Sequence, residues 1–155
     1  MEKEDIIKKF SLSFEQVKNI ELFISTLKET NIHTNLVGRS TIENIWKNHI
    51  LDSLQILPLL SKRNCSLLDM GTGAGFPGIL FAMLGFKHVT LIDSNNKKIN
   101  FLKKIKKKLS LGAVIKLGRI ENFNNVKFDV ITSRALANLN KLFSYSQKFL
   151  LNKSK

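Results

Sequence analysis

Apolar residues recur along this chain at helical spacing in its first third and as short runs between amphipathic stretches beyond it. Phe14, Val17, Ile20, Phe23, Ile24 and Leu27 follow Ser13, which with Gln16 three positions on has the form of a capping box; a helix over 14–29 is predicted. The polar stretch 31–39 reads as a connector. A second helix is predicted over 42–57, with Thr41 as N-cap, Ile45, Trp46, Ile50, Leu54 and Leu57 on one side, and Pro58 at its end. From residue 66 the pattern changes to strands at 66–70, 88–93, 113–117 and 127–132, helices at 77–84, 96–109 and 138–150, and a turn through 119–123. Such alternation implies an α/β fold with a parallel sheet and right-handed crossovers. The 155 residues are read as one domain, a helical cap over 1–62 followed by a sheet-bearing core over 63–155.

Charge sharpens this division. Residues 1–64 hold 9 Lys and Arg against 8 Asp and Glu, and residues 65–155 hold 16 against 4, so nearly all of the net +13 lies in the second part. A field this positive favours a polyanionic partner, nucleic acid being the commonest. On the 96–109 helix Ile99, Leu102, Ile105 and Leu109 form the buried stripe. Lys97, Lys98, Lys103, Lys104, Lys106, Lys107 and Lys108 cover the rest, either as a solvated face or as an RNA-binding one. No apolar run approaches the roughly 20 residues that cross a bilayer, and the acidic, lysine-mixed start is unlike a signal peptide, so the cytoplasm is the expected location, with no membrane partner. The single cysteine, Cys65, reads as a small buried filler.

The chemistry concentrates in residues 67–78, a strand that ends in an acid and turns through closely spaced glycines into a helix. Glycines permit a ligand to approach the main chain and supply positive φ. The second strand also ends in an acid, Asp93, and in a βαβ unit both strand ends open on one sheet edge, so Asp69, the glycine loop and Asp93 are expected to share a crevice in which Asp93 accepts from ribose hydroxyls. Gly73, Gly75 and Gly78 match the dinucleotide pattern G-x-G-x-x-G literally, which keeps a nicotinamide or flavin cofactor as one alternative. Only one mononucleotide half is complete, however. Tyr145 and Lys148, three apart late in a helix and away from the strand ends, offer no hydride chemistry. A mononucleoside with a charged tail, S-adenosylmethionine, fits better, its amino acid end on the glycine turn, its ribose on Asp93 and its adenine beside Ile120 and Glu121.

Further segments resemble a particular family, the bacterial guanine-N7 methyltransferases of small-subunit ribosomal RNA, also called glucose-inhibited division protein B. The resemblance runs from about Asn35 to Leu139. It is carried by Asn35-Leu36-Val37, by the run from Trp46 to Leu54, by the loop from Asp69 to Gly78, by Leu91-Ile92-Asp93-Ser94 and by Ser133-Arg134-Ala135. It implies a class I methyltransferase fold, with 63–155 as a Rossmann-like core, S-adenosyl-L-methionine as donor, and a guanine of 16S ribosomal RNA, free or in the small subunit, as acceptor. Residue by residue, Gly71, Phe76, Ile120, Glu121 and Arg134 match the family's cofactor-binding positions; Gly73 and Asp93 join them by the loop and ribose arguments. No catalytic residue is assigned, because guanine N7 carries a free lone pair and needs no general base. The family's pattern continues with further strands beyond residue 155. The expectation is therefore an incomplete sheet with the 127–132 strand at an edge, a monomer able to associate through that edge, and, as the alternative function, a non-catalytic RNA-binding remnant of such an enzyme.

Overall fold

A computed structural model describes residues 1–60 and 62–151. Four parallel strands form one sheet in the order β3-β2-β1-β4: β1 is Ser66–Met70, β2 His88–Asp93, β3 Val114–Leu117 and β4 Val130–Ser133. β1 pairs with β2 in the register Ser66 to His88 and with β4 in the register Leu67 to Val130. The order reverses between β1 and β4. That is where open parallel sheets leave a crevice at the carboxyl ends of their strands.

Both sheet faces are covered. Leu67, Val89 and Leu91 point into a large core closed by α5 (Gly78–Met83) and α6 (Asn96–Lys108), over which α2 (Phe14–Asn31) is laid through Ile20, Phe23, Ile24 and Leu27. Leu68, Met70 and Ile92, one residue out of phase as the pleat requires, point the other way into a smaller core with Ile120, Phe128 and Phe149. Leu142 and Tyr145 of α7 (Leu139–Gln147) pack against that second core. The predicted capping box holds: Ser13 Oγ accepts from Gln16 N, and Gln16 Oε1 accepts from Ser13 N. Among the described residues β4 stands at a sheet edge, and beside it Phe128 forms a parallel bridge with Leu150. No described helix is long and apolar enough to cross a membrane.

Several expectations need correction. The helix predicted over 42–57 is broken into α3 (Arg39–Ile42), a π turn over Trp46–Leu51, α4 (Asp52–Leu54) and a 3-10 turn over Leu57–Leu59. The wide turn buries Ile45 and Ile50, five residues apart, on one side; a regular helix would have separated them. Thr41 does not cap; Gly38 occupies that place, and the Thr41 hydroxyl donates to Gly38 O. A short helix, α1 (Lys3–Lys9), carried no periodic signal because Ile6 alone is buried. Strand β4 begins at Val130 rather than 127, α7 ends at Gln147 rather than 150, and Cys65 is half-buried.

Candidate functional site

At the carboxyl edge of the sheet lies a cavity of about 280 Å³ bordered by Gly71, Asp93, Gly118, Ile120, Glu121 and Tyr145, among others. Three strand ends supply it. β1 runs into the glycine loop, where Gly71 and Gly73 have φ of +65° and +59°. β2 ends at Asp93, and the segment after β3 turns at Gly118 into a 3-10 turn over Ile120–Asn122. Asp93 ties the parts together: Oδ2 accepts from Gly73 N at 2.9 Å, Oδ1 accepts from Asn95 N at 2.8 Å, and its carbonyl accepts from Gly118 N at 3.0 Å. A carboxylate has further lone pairs beyond these two bonds, so Asp93 can accept from a diol facing the cavity.

The glycines divide by what surrounds them. A Cβ at Gly73 or Gly118 would meet nothing within 4 Å, so both main chains border open space. At Gly78 a Cβ would fall 2.1 Å from Leu91 Cδ2 and 2.7 Å from Asp69 Oδ2, a packing requirement instead. Gly71 is intermediate, since a Cβ there would press on Leu136, which also borders the cavity. The volume is near the lower end of the range of about 300–1,000 Å³ typical of small-molecule sites, which suits a mononucleoside better than a dinucleotide. Open glycine main chain, an accepting carboxylate and this volume fit the nucleoside part of S-adenosylmethionine.

Of the seven residues singled out from the sequence, Gly71, Asp93, Ile120 and Glu121 border this cavity, and Gly73 is bonded to Asp93. Phe76 and Arg134 do not. Phe76 is buried in the large core against Phe23 and His49, and Arg134 borders a second cavity of about 410 Å³ with Asp52, Pro77 and Ser133. Asp69, expected in the crevice as a second acid, is fully buried below it. Its Oδ2 accepts from Thr72 Oγ1 and Gly78 N, its Oδ1 from Thr132 Oγ1, and burial pushes it up to about 6.

Tyr145, read as remote from the strand ends, borders the cavity and donates to Glu121 Oε1 at 3.0 Å; a hydrogen bond from its own main chain and then this one hold the exposed Glu121 below the usual carboxylate range. Lys148 Nζ donates to the carbonyls of Ile120 and Glu121, both at 2.9 Å. Helix α7 folds back over the strand ends, which its distance along the chain did not indicate. The sequence reading also missed Gly118, although a glycine directly after a strand repeats the signal of the first loop.

Residues 16–155 match the family model described as rRNA small subunit methyltransferase G. Similar proteins named Ribosomal RNA small subunit methyltransferase G occur in Zymomonas mobilis, 39% identical over 151 residues that cover 92% of this chain and 68% of that one, and in Rickettsia prowazekii, 39% identical over 147 residues that cover 91% and 76%. Among solved structures, TehB from Haemophilus influenzae superposes with a TM-score of 0.55 at 23% identity over 64% of this chain and 36% of its own. A MtNAS variant in complex with S-adenosylmethionine gives 0.55 at 16% identity over 85% and 54%. The likeness to these two structures is one of fold, a Rossmann-like parallel sheet with helices packed on it.

Proposed function

Because this chain belongs to the rRNA small subunit methyltransferase G family, we propose that it transfers the methyl group of S-adenosyl-L-methionine to N7 of a guanine in 16S ribosomal RNA, as a monomer in the cytoplasm. One observation carries the reading: a single cavity collects Gly71, Asp93, Ile120 and Glu121 from three separate strand ends, beside glycine main chain left open at Gly73.

When bound, the donor supplies an electrophilic sulfonium methyl group. Asp93 accepts from the ribose hydroxyls and, through Gly73 N, keeps the loop in place against them. The turn at Ile120 and Glu121, pinned by Tyr145 and Lys148, meets the adenine. Phe76 and Arg134 serve the donor from the other end of the loop, Phe76 as its buried support. With N7 already nucleophilic, the protein's task is alignment, and holding two reactants in attacking geometry supplies several kcal/mol without a general base. The RNA is drawn by the cationic second part of the chain, where residues 94–120 hold nine Lys and Arg and no acid.

The test is mass spectrometry of nucleosides from unmethylated 16S RNA and small subunits after incubation with the protein and labelled donor. Labelled 7-methylguanosine is expected. Label in another nucleoside, or donor binding with no transfer to either substrate, refutes the proposal.

A further inference from the structure

Arg134 and Phe76 lie in a cluster that joins the π turn of the N-terminal part to the glycine loop. Phe76 is 3% exposed, set edge-on to Phe23 and stacked on His49 with ring centroids 4.8 Å apart. The guanidinium of Arg134 lies 5.6 Å from the centroid of the same ring. One of its nitrogens donates to Asp52 Oδ2 at 2.9 Å and the other to His49 Nδ1 at 2.6 Å. A guanidinium can only donate, so Nδ1 carries a lone pair and the ring proton sits on Nε2. Nε2 donates to Thr41 Oγ1 at 3.0 Å, and the Thr41 hydroxyl in turn donates to Gly38 O at 2.9 Å. The tautomer of His49 is thus fixed from both sides. Burial, then the charge of Arg134, holds the ring down at about 4, so it remains a neutral acceptor near pH 7.

We infer that His49 and Asp52 are positioning residues of the transfer reaction, holding Arg134 so that its remaining N–H groups meet the carboxylate of the donor's amino acid tail. The inference rests on the proposed function. Its geometry comes from the loop: Gly71 at one end borders the nucleoside cavity, and Pro77 at the other borders the cavity that Arg134 lines. A donor with its ribose on Asp93 and its chain along the open main chain at Gly73 ends at this cluster. There a guanidinium fork matches a carboxylate, and prior fixation removes the ordering penalty of a long side chain.

The test compares, by calorimetry, S-adenosylmethionine with methylthioadenosine, which keeps the nucleoside and lacks the tail carboxylate. His49→Leu should weaken S-adenosylmethionine binding about tenfold or more, the loss expected when a charged donor is left without its acceptor. Asp52→Asn should weaken it about threefold, as befits a solvent-exposed pair. His49→Asn, whose amide oxygen can take the place of Nδ1, should restore most of the loss. His49→Gln, which reaches only the Nε2 side, should not, and this pair of polar variants carries the comparison should His49→Leu fail to fold. Methylthioadenosine affinity should be unchanged in every variant. Equal losses for both ligands would reduce the cluster to a structural role and overturn the inference. So would unchanged donor binding with weakened RNA retention on filters, which would assign Arg134 to a phosphate. Wild-type protein that binds no S-adenosylmethionine would instead sink the proposed function on which the inference stands.

Discussion

Two glycines of the same loop should respond in opposite ways to the same added methyl group. At Gly78 the new Cβ would overlap Leu91 and Asp69, both fully buried, and neither can retreat without disturbing the sheet. Overpacking of this kind costs about 1–3 kcal/mol. Shifting Gly78 N off Asp69 Oδ2 removes a bond to a buried carboxylate that contributes roughly another 1.5–3 kcal/mol. Gly78→Ala should therefore lose about 3–5 kcal/mol of folding stability, or on the order of 10 °C in melting temperature for a domain of this size. At Gly73 the Cβ meets no protein atom, and only the left-handed φ of +59° is penalised, by about 1–2 kcal/mol. Its Cβ occupies the open space instead. Gly73→Ala should melt only a few degrees below wild type while binding S-adenosylmethionine at least about tenfold more weakly, a difference of roughly 1.4 kcal/mol. Thermal melts with and without donor, together with calorimetry, separate the two effects. A folded Gly73→Ala protein with wild-type donor affinity would show that the loop does not carry the donor, and a Gly78→Ala protein that melts like wild type would refute the packing argument.

Asp93→Ala removes the proposed ribose acceptor and the acceptor of Gly73 N, and should weaken S-adenosylmethionine and methylthioadenosine alike by about 10- to 100-fold in calorimetry, since both contain the ribose. Stability against pH, followed by urea unfolding, should contain two opposed contributions. His49 falls from its ordinary 6.5 to about 4, so the unfolded chain takes up the proton first, and its contribution is full above 6.5 and lost as pH falls toward 4. That contribution is on the order of 1–2 kcal/mol after solvent screening. Asp69 rises from 3.8 to about 6, so its contribution is full below 3.8 and lost as pH rises through 6, on the order of 2–3 kcal/mol. His49→Gln should accordingly steepen the decline in stability from pH 4 to 6, and Asp69→Asn should reverse its direction; an unchanged slope in both variants refutes the assignment. None of the lysines on α6 is in an ion pair among the described residues, so replacing Lys103, Lys104 and Lys107 together by Gln should leave donor binding intact. It should also flatten the plot of log RNA affinity against log salt by about 0.7–0.9 for each phosphate that the face no longer neutralises. An unaltered slope would mark that face as merely solvated.

The parts of the fold legible in the sequence were those whose signals are local. Ser13 and Gln16 announced a helix start because a capping box needs only four consecutive residues. β1 and β2 were placed to the residue because strands buried on both faces read as continuous apolar runs bounded by turns. The π turn at Trp46–Leu51 was not legible. It exists to bury His49 and Ile50 together beneath residues more than twenty positions away, such as Phe76, and Trp46 is turned toward Glu21, to which its Nε1 donates. Tyr145 escaped for the same reason: its place beside Glu121 follows from how α7 returns over the sheet, which no local pattern encodes.

Asp69 and Asp93 show how far a strand-ending acid can be trusted as a sign of a site. Both lie in the phase of the pleat that faces the helix-covered core, for Asp69 pairs with Leu91 and Asp93 lies two residues beyond Leu91 on the same strand. Those two residues carry Asp93 roughly 6–7 Å farther along the strand direction, past the last rung of β1, into the mouth of the cavity. Asp69, one rung inside, is roofed by Thr72, Gly78 and Thr132 and serves to lock the loop. Equal sequence signals thus yield a carboxylate that locks the loop and one that borders the cavity, and the register between neighbouring strands decides between them. Moving the acid outward on β1, with Asp69→Asn and Met70→Asp together, should therefore fail to place a second acid at the cavity, because position 70 belongs to the opposite phase and points into the smaller core with Leu68 and Ile92. Loss of folding in that variant, rather than any gain in donor affinity, is the outcome the register requires.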